Sequence, residues 1–154
     1  MIDKKDKKVL VELLRDGRKS FADLARTCRM TRQSIFSRIK SLRHNGIIKN
    51  FTVTLDQQKL GLNLKAYILL SARPSEEARE KASKILSQFP QVSQINRLFG
   101  RFDFLIEVLV KDINELSDII GKIHKLEVVT RTETMIVYKN IKYDVQHPFE
   151  NVLS

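Results

Sequence analysis

The sequence predicts an α+β protein, with an N-terminal winged helix-turn-helix domain followed by a C-terminal ferredoxin-like β-α-β-β-α-β sandwich. Three short helical patterns fill residues 1–46, and strand and helix patterns alternate from residue 64 to about residue 138. Charge divides the chain in the same way, because residues 1–60 carry 15 Lys and Arg against 6 Asp and Glu, whereas residues 61–154 carry 13 against 12. The net charges of +9 and +1 indicate two domains, of which only the first has the charge of a polyanion binder.

The basic part begins with three helix patterns, each preceded by a candidate N-cap. Asp3, Ser20 and Thr31 have side chains that accept hydrogen bonds from the free N–H groups of a first helical turn. Gly17 and Gly46 are expected to end the first and third helices. Two short helices joined by about three residues, the second rich in polar side chains, are typical of a helix-turn-helix motif.

The third helix carries the candidate DNA contacts. Ile35, Ile39 and Leu42 recur at i, i+4 and i+7 and predict its buried face. The side chains expected to face base edges and phosphates are Thr31, Arg32, Gln33, Ser34, Ser37, Arg38 and Ser41. The positive end of the helix dipole also favours a phosphate. A solvated basic face on an ordinary three-helix bundle is the alternative, and the local net charge of +9 favours double-stranded DNA.

Residues 47–55 are rich in β-branched and aromatic side chains. This composition predicts a strand that is either the wing of the helix-turn-helix domain or a link between the two domains. We therefore assign residues 1–50 to the winged helix-turn-helix domain and residues 51–62 to a linking strand or hinge. Residues 63–142 are assigned to the sandwich domain, and residues 143–154 to a C-terminal tail.

The sandwich prediction depends on the period of the apolar residues. Residues 64–72 alternate apolar and polar side chains as a half-buried strand does, and Ser75 is the expected N-cap of the helix that follows. Two more strands are expected over residues 92–99 and 104–110, then a second helix, then a last strand over residues 129–138. This order is that of the ferredoxin-like sandwich, a fold that hosts many functions.

The sequence offers no catalytic or metal-binding pattern. His44, His124 and His147 lack metal-ligand spacing, no nucleophile–base signature is present, and there is no glycine-rich phosphate loop. The single cysteine, Cys28, excludes an intrachain disulfide and fits a reducing compartment. We therefore expect a cytoplasmic protein that is not an enzyme, with no cofactor, no metal site and no membrane segment.

In combination, the motifs resemble those of the Lrp/AsnC family of prokaryotic transcription regulators, also called feast/famine regulatory proteins. The matching residues run through nearly the whole chain, in the order and spacing of the family. They are Ile2-Asp3-x-x-Asp6-x-x-Val9-Leu10-x-x-Leu13, Gly17-Arg18, Leu24-Ala25, Thr31-x-x-x-Ile35-x-x-Arg38-Ile39-x-x-Leu42-x-x-x-Gly46-x-Ile48, Gly100-x-Phe102-Asp103 and Thr132-x-Thr134.

The resemblance implies a DNA-binding first domain and a second domain for effector binding and oligomerisation. The implied effector is a small molecule, typically an amino acid, bound between subunits of a homodimer that pairs through its sheets and often assembles into an octamer. The residues that match the family's effector site are Gly100, Arg101, Phe102, Asp103, Thr132 and Thr134. Many members carry a Pro-Gly pair before the last strand, where this chain has Leu126-Glu127-Val128-Val129, so the turn geometry there is expected to differ.

The chemistry of an amino acid suits these residues, because a zwitterion needs donors for its carboxylate and an acceptor for its ammonium group. Backbone amides near Gly100 and the carboxylate of Asp103 offer both. A tight turn that requires positive φ is the alternative for Gly100, and a loop-closing carboxylate is the alternative for Asp103. The sequence thus predicts a sequence-specific, nucleoid-associated transcription regulator that responds to an amino acid. An architectural DNA-binding protein with no effector is the alternative.

Overall fold

The computed structural model describes residues 2–153 and divides into two compact units. The first unit contains the chain up to residue 54 together with the residues from 141 onward, and the second contains residues 55–140. The C-terminal tail, which the sequence suggested as a separate segment, therefore clusters with the N-terminal helices. Across the described residues, no helix is long and apolar enough to cross a membrane.

The first unit contains the three predicted helices and a fourth from the tail. They are α1 (Lys4–Arg15), α2 (Phe21–Cys28), α3 (Arg32–His44) and, late in the chain, α6 (His147–Leu153). Asp3, Ser20 and Thr31 are the N-caps of the first three, as predicted, and each side chain accepts a hydrogen bond from the backbone N–H three residues on. Helix α1 ends one residue before Asp16, its C-cap, so Gly17 lies just beyond the helix.

A small apolar core joins α1, α2 and α3. Its buried members are Val9, Leu24, Ala25, Cys28, Ile35 and Ile39. Arg29 ends α2 in the left-handed conformation, with φ of 55°, and turns the chain into the short connection that precedes Thr31. Helix α6 contacts α1 within this unit. These contacts fix α2 and α3 in the helix-turn-helix arrangement.

The strand predicted over residues 47–55 does not form. This segment has no regular secondary structure, and Phe51, Val53 and Leu55 are 49%, 70% and 62% exposed. A strand requires a neighbour whose backbone groups complete its hydrogen bonds, and the single sheet of residues 2–153 contains only the four strands of the second unit. The predicted wing is therefore absent from the isolated chain, although the helix-turn-helix is present.

The second unit has the predicted order β-α-β-β-α-β. Its elements are β1 (Leu64–Ala72), α4 (Glu76–Leu86), β2 (Val92–Arg97), β3 (Phe104–Val110), α5 (Ile113–His124) and β4 (Val129–Ile136). The sheet is antiparallel throughout, in the spatial order β2-β3-β1-β4. This topology confirms the ferredoxin-like α+β sandwich.

The apolar core of the second unit lies between the sheet and its two helices. Ile68 and Leu70 of β1 and Ile106 of β3 are fully buried there, against side chains of α4 and α5. Alternate residues of the same strands, including Tyr67 and Glu107, project to the opposite face of the sheet. We call this second surface the open face, because both helices of this unit pack on the other one.

Candidate nucleic-acid interface and effector site

Helix α3 exposes most of the side chains predicted to contact DNA. Ile35, Ile39 and Leu42 are buried, as their spacing predicted. The exposed members of the predicted set are Thr31, Arg32, Gln33, Ser37 and Ser41. Ser34 is half-buried, and its hydroxyl lies 3.9 Å from the Met30 sulfur. Gln33, Ser37 and Ser41 lie on the side of the helix away from the apolar stripe. Arg32 precedes Ile39 by two turns and is exposed in the first turn of the helix.

The N-terminus of α3 is well suited to an anion. Thr31 Oγ1 accepts a hydrogen bond from the Ser34 N–H at 3.1 Å, which fixes the first turn. The N–H groups of Arg32 and Gln33 belong to that turn and have no acceptor within the helix. The Arg32 side chain is exposed and forms no ion pair within residues 2–153. The N-terminus of α3 thus presents to an anion two amides, a guanidinium and the positive end of the helix dipole.

Arg38 departs from its predicted orientation on the outward face of α3. Its side chain is 23% exposed, and its Nη1 lies 2.7 Å from Asp3 Oδ2 and 2.6 Å from Asp6 Oδ1. The position explains the difference, because Arg38 comes three residues after Ile35 and directly before Ile39, at the margin of the buried stripe. Arg38 therefore faces α1 and is held there.

The Asp3 carboxylate is stabilised in its charged form. The backbone N–H of Asp6 and the Arg38 guanidinium both donate to it, in that order of importance, and hold the pKa of Asp3 below its usual value. The same ion pairs raise the pKa of Arg38. Both groups are thus ionised at neutral pH, and their pairing is internal to the first unit.

Lys40 and Phe36 are surface residues of α3 outside the set predicted from the sequence to contact DNA. Lys40 lies one turn after Ser37 on the exposed face and has no ion-pair or hydrogen-bond partner within the described chain. Phe36 packs edge to face against Phe21 of α2, with ring centroids 6.0 Å apart. A helical projection of α3 would have found Lys40, because it lies seven residues, or two turns, after Gln33.

In the second unit, the loop between β2 and β3 is anchored through Asp103. Its Oδ2 accepts the backbone N–H of Ala72 at 2.9 Å, and its Oδ1 accepts the Arg79 Nε–H at 2.7 Å. Burial raises the pKa of Asp103, but these two donors outweigh burial and hold the pKa below its usual value. Gly100 has φ of +149°, which favours glycine. The geometry therefore matches the turn and loop-closing roles left open for Gly100 and Asp103.

Arg101 and Phe102 form a cluster with two residues of β4. The guanidinium carbons of Arg101 and Arg131 lie 5.0 Å and 5.4 Å from the centroid of the Phe102 ring. Glu133 lies 3.5 Å from Arg101 and 3.9 Å from Arg131. Because Arg131 and Glu133 pair with β1 residues of the open face, the cluster lies beside that face.

Thr132 and Thr134 lie on the other side of β4. They pair directly with Leu70 and Ile68, whose side chains face the helices. The Thr132 hydroxyl oxygen lies 2.6 Å from His124 Nε2, at the end of α5. The isolated chain therefore does not bring the six predicted effector residues into one cavity, because the sheet separates the two threonines from the cluster around Phe102.

Two clefts occur elsewhere, one in each unit. A cleft of about 520 Å³ in the first unit is bordered by α1, the end of α2 and Leu153, and one of about 350 Å³ in the second lies along α4 and β2. Neither cleft is lined by any of the six predicted effector residues.

Comparison with known proteins also divides the chain into two parts. Residues 2–43 match the AsnC-type helix-turn-helix domain, and residues 65–146 match the Lrp/AsnC ligand binding domain. The HTH-type transcriptional regulator FL11 of Pyrococcus furiosus is 30% identical over 148 residues, which cover 96% of this chain and 97% of that protein. The transcriptional regulator AzlB of Bacillus subtilis is 28% identical over 154 residues, covering 99% and 98%.

A transcriptional regulator of Neisseria meningitidis, solved as a complex with L-Met, superposes with a TM-score of 0.92. It is 25% identical, and the superposition covers 99% of each chain. The family models cover both units, and the similarity to curated regulators extends over almost the full length. This chain therefore belongs to the Lrp/AsnC family, whose members are transcriptional regulators rather than enzymes.

Proposed function

We propose that this regulator binds double-stranded DNA through the exposed face of α3 and that an amino acid bound by the second unit modulates the binding. The observation that carries the DNA proposal is the polar, cationic surface opposite the buried stripe of α3. The proposed contacts are Thr31, Arg32, Gln33, Ser34, Ser37 and Ser41, to which we add Lys40. They come from one helix that is capped and packed on a core, so the surface is preorganised for a major groove.

The proposed contacts divide into two kinds. Gln33 and Ser37 lie on the part of the helix farthest from its core, where a recognition helix meets base edges. Arg32 lies in the first turn, where a guanidinium reaches either a base edge or a phosphate, and Lys40 lies two turns into the helix as a point charge for a phosphate. The first group would give sequence preference, and the cations would give salt-dependent affinity.

Replacement of Arg32 tests the DNA proposal. A binding site is first selected from random duplexes with the wild-type protein, and affinities of wild type, Arg32→Ala and Arg73→Ala are then measured over a salt series. Arg73 is an exposed arginine of the second unit and serves as the matched control. Arg32→Ala should weaken binding by about 1–3 kcal/mol if it contacts a base, and Arg73→Ala should not. Equal affinity of all three proteins would refute the assignment of α3.

The effector proposal is supported by the ligand-binding family model over residues 65–146 and by the L-Met complex of the Neisseria relative. In this chain, backbone amides of the loop from Gly100 to Asp103 remain suitable donors for a carboxylate. The Asp103 carboxylate already holds Arg79 and the Ala72 amide, so an acceptor for the ammonium group would come from a backbone carbonyl or from a second subunit. We propose the second of these sources, so that the site is completed between subunits.

Titration calorimetry against the twenty amino acids tests the effector proposal. A heat of binding with at least one amino acid, reduced by Thr132→Val, is the expected result. Thr130→Val is the matched control, since the Thr130 hydroxyl donates to the Ser71 carbonyl within the same strand pair. The absence of heat with all twenty would favour the architectural alternative, in which the second unit serves assembly alone.

The proposed homodimer pairs through the open face and assembles further into an oligomer such as an octamer. Leu69, Leu105 and Leu109 of that face are only half-buried in the single chain, so a second sheet would remove more apolar surface from water. Light scattering after size exclusion measures the assembly, and a monomer at micromolar concentration would contradict it. Binding to DNA would hold such a protein at the nucleoid.

A further inference from the structure

We infer that Arg38 is a positioning residue, which fixes the DNA-reading helix α3 against the first turn of α1, and not a residue that reads DNA. The inference rests on the proposed DNA binding by α3. Its structural basis is the cluster of Arg38, Asp3 and Asp6, which we call the α1–α3 clamp.

The clamp uses all four oxygens of its two carboxylates. Asp3 Oδ1 accepts the Asp6 N–H at 2.7 Å, and Asp6 Oδ2 accepts the Asp3 N–H at 3.0 Å, so one oxygen of each caps α1. The other two, Asp3 Oδ2 and Asp6 Oδ1, accept from Arg38 Nη1. The capping box of α1 is therefore continuous with an ion pair to the middle of α3.

The ion pairs keep Arg38 in this position. The side chains of Arg38 and Asp6 are only 23% and 17% exposed, so their contact is partly shielded from water. Reaching a base edge would require Arg38 to leave two carboxylates, one of them largely buried, without a cation. Such a rearrangement is costly because charge-assisted hydrogen bonds are the stronger class.

The charge of the clamp also matters for DNA. Two carboxylates and one guanidinium leave a formal charge of −1 beside a helix that we expect to approach phosphates. Arg38 thus neutralises half of an acidic pair that would otherwise repel DNA, while it holds α1 to α3.

Loss of Arg38 alone cannot distinguish the two roles, because Arg38→Ala weakens DNA binding in either case. The double variant Asp3→Asn/Asp6→Asn does distinguish them. Asparagine remains a good N-cap, so α1 keeps its first turn, but the ion pairs are lost and the net charge rises by two. If Arg38 contacts DNA, this variant frees it and binds DNA as tightly as wild type or more tightly. If Arg38 positions α3, the variant binds at least about fivefold more weakly despite its added positive charge.

The experiment compares wild type, Asp3→Asn/Asp6→Asn, Arg38→Lys and the control Asp118→Asn on the selected duplex. Asp118 is an exposed carboxylate of α5 with no partner within the described residues. The positioning role predicts weaker binding for both clamp variants and wild-type binding for the control. Wild-type or tighter binding by the aspartate double variant overturns the inference, while the proposed function stands.

Amide hydrogen exchange tests the clamp even if the wild-type protein binds no duplex, an outcome that would contradict the proposed function. We expect Arg38→Ala and Asp3→Asn/Asp6→Asn each to make the amides of α1 and α3 exchange faster. Because both changes break the same contacts, the triple variant should exchange no faster than Arg38→Ala. Fully additive effects, or no effect, would show that the clamp does not join the two helices.

Discussion

Each of the two units contains an arginine–aspartate cluster that joins two of its elements, but the charges around the two clusters differ. In the first unit Arg38 holds two carboxylates, and in the second the Asp103 carboxylate holds Arg79 and a backbone amide. Both Arg38 and Asp103 were predicted to contact a ligand, and in the structure each joins two elements of its own unit. A charged residue in a family motif is thus as suited to positioning a site as to touching the ligand.

The difference lies in the charges that remain. After Arg38 is paired, Arg32, Lys40 and Arg43 of α3 are still exposed, with no carboxylate partner within the described chain. Near the loop from Gly100 to Asp103, by contrast, three arginines have a carboxylate partner. Arg101 and Arg131 share Glu133, and Arg79 pairs with Asp103. The surplus of charge thus supports the DNA surface proposed for the first unit, and the nearly balanced charge of the second unit gives no such support for a site.

The largest expected effect is a loss of stability on truncation of a core side chain, which also tests whether the two cores are independent. Ile106→Ala removes a fully buried side chain of the second unit and should lower its free energy of unfolding by about 2–5 kcal/mol. The matched control Ile113→Ala, at a position 55% exposed, should cost far less. Urea denaturation gives the stability, and amide exchange in α1 shows whether the first unit is affected. Equal destabilisation by both variants would contradict the assigned core.

A smaller effect is expected from Asp103→Asn. The change keeps the side-chain volume but removes the charge that Arg79 and the Ala72 amide share, so the second unit should lose about 1–3 kcal/mol of stability. Asp118→Asn on α5 is the control and should be neutral. If Asp103 acted only on an effector, the effector-free Asp103→Asn variant would be as stable as wild type, and only its calorimetric titration would change.

Lys40→Ala tests whether an exposed cation of the first unit contacts DNA. We expect a phosphate contact, so affinity should fall to a similar extent on all duplexes, and the slope of log affinity against log salt should decrease by about 1. Lys122→Ala, at an exposed helical position of the second unit, is the matched control. An unchanged salt slope in Lys40→Ala would exclude Lys40 from the interface.

The smallest expected effect is a loss of stability at acid pH, to which a carboxylate of each unit contributes. The pKa values of Asp3 and Asp103 are both lowered in the folded protein, so the unfolded chain binds more protons in the acid range. The stability contributed by these carboxylates is complete well above about pH 4, the ordinary aspartate pKa, and is lost as the pH falls through the folded values. Urea denaturation at neutral and acid pH measures this loss. The Asp103→Asn variant should lose less stability on acidification than wild type, and an identical loss would contradict the assignment.

Much of the fold follows from local patterns. The caps at Asp3, Ser20, Thr31 and Ser75, and the order of strands and helices in the second unit, were predictable because capping and apolar periodicity depend on residues within a few positions of one another. The absence of a strand over residues 47–55 was not predictable in this way. The β propensity of this segment has no effect without a neighbouring strand to complete its hydrogen bonds.

The candidate sites were predictable only in part. Exposure of Gln33 and Ser37 follows from the position of each relative to the apolar stripe of α3. The pairing of Arg38 with Asp3 spans 35 residues, and that of Arg79 with Asp103 spans 24, so neither spacing appears in any local pattern. The face of the sheet on which Thr132 and Thr134 lie was not predictable from local patterns either, because it depends on how β4 pairs with β1.

The sequence alone determined the family, the two-part division, the helix caps and the basic character of the first unit, because each depends on composition or on neighbours along the chain. Tertiary structure decided which charged side chains remain available for a ligand. Arg38 and Asp103 form internal ion pairs because folding brought opposite charges within 3 Å of them. A charge that is largely removed from water is stable only when it is paired.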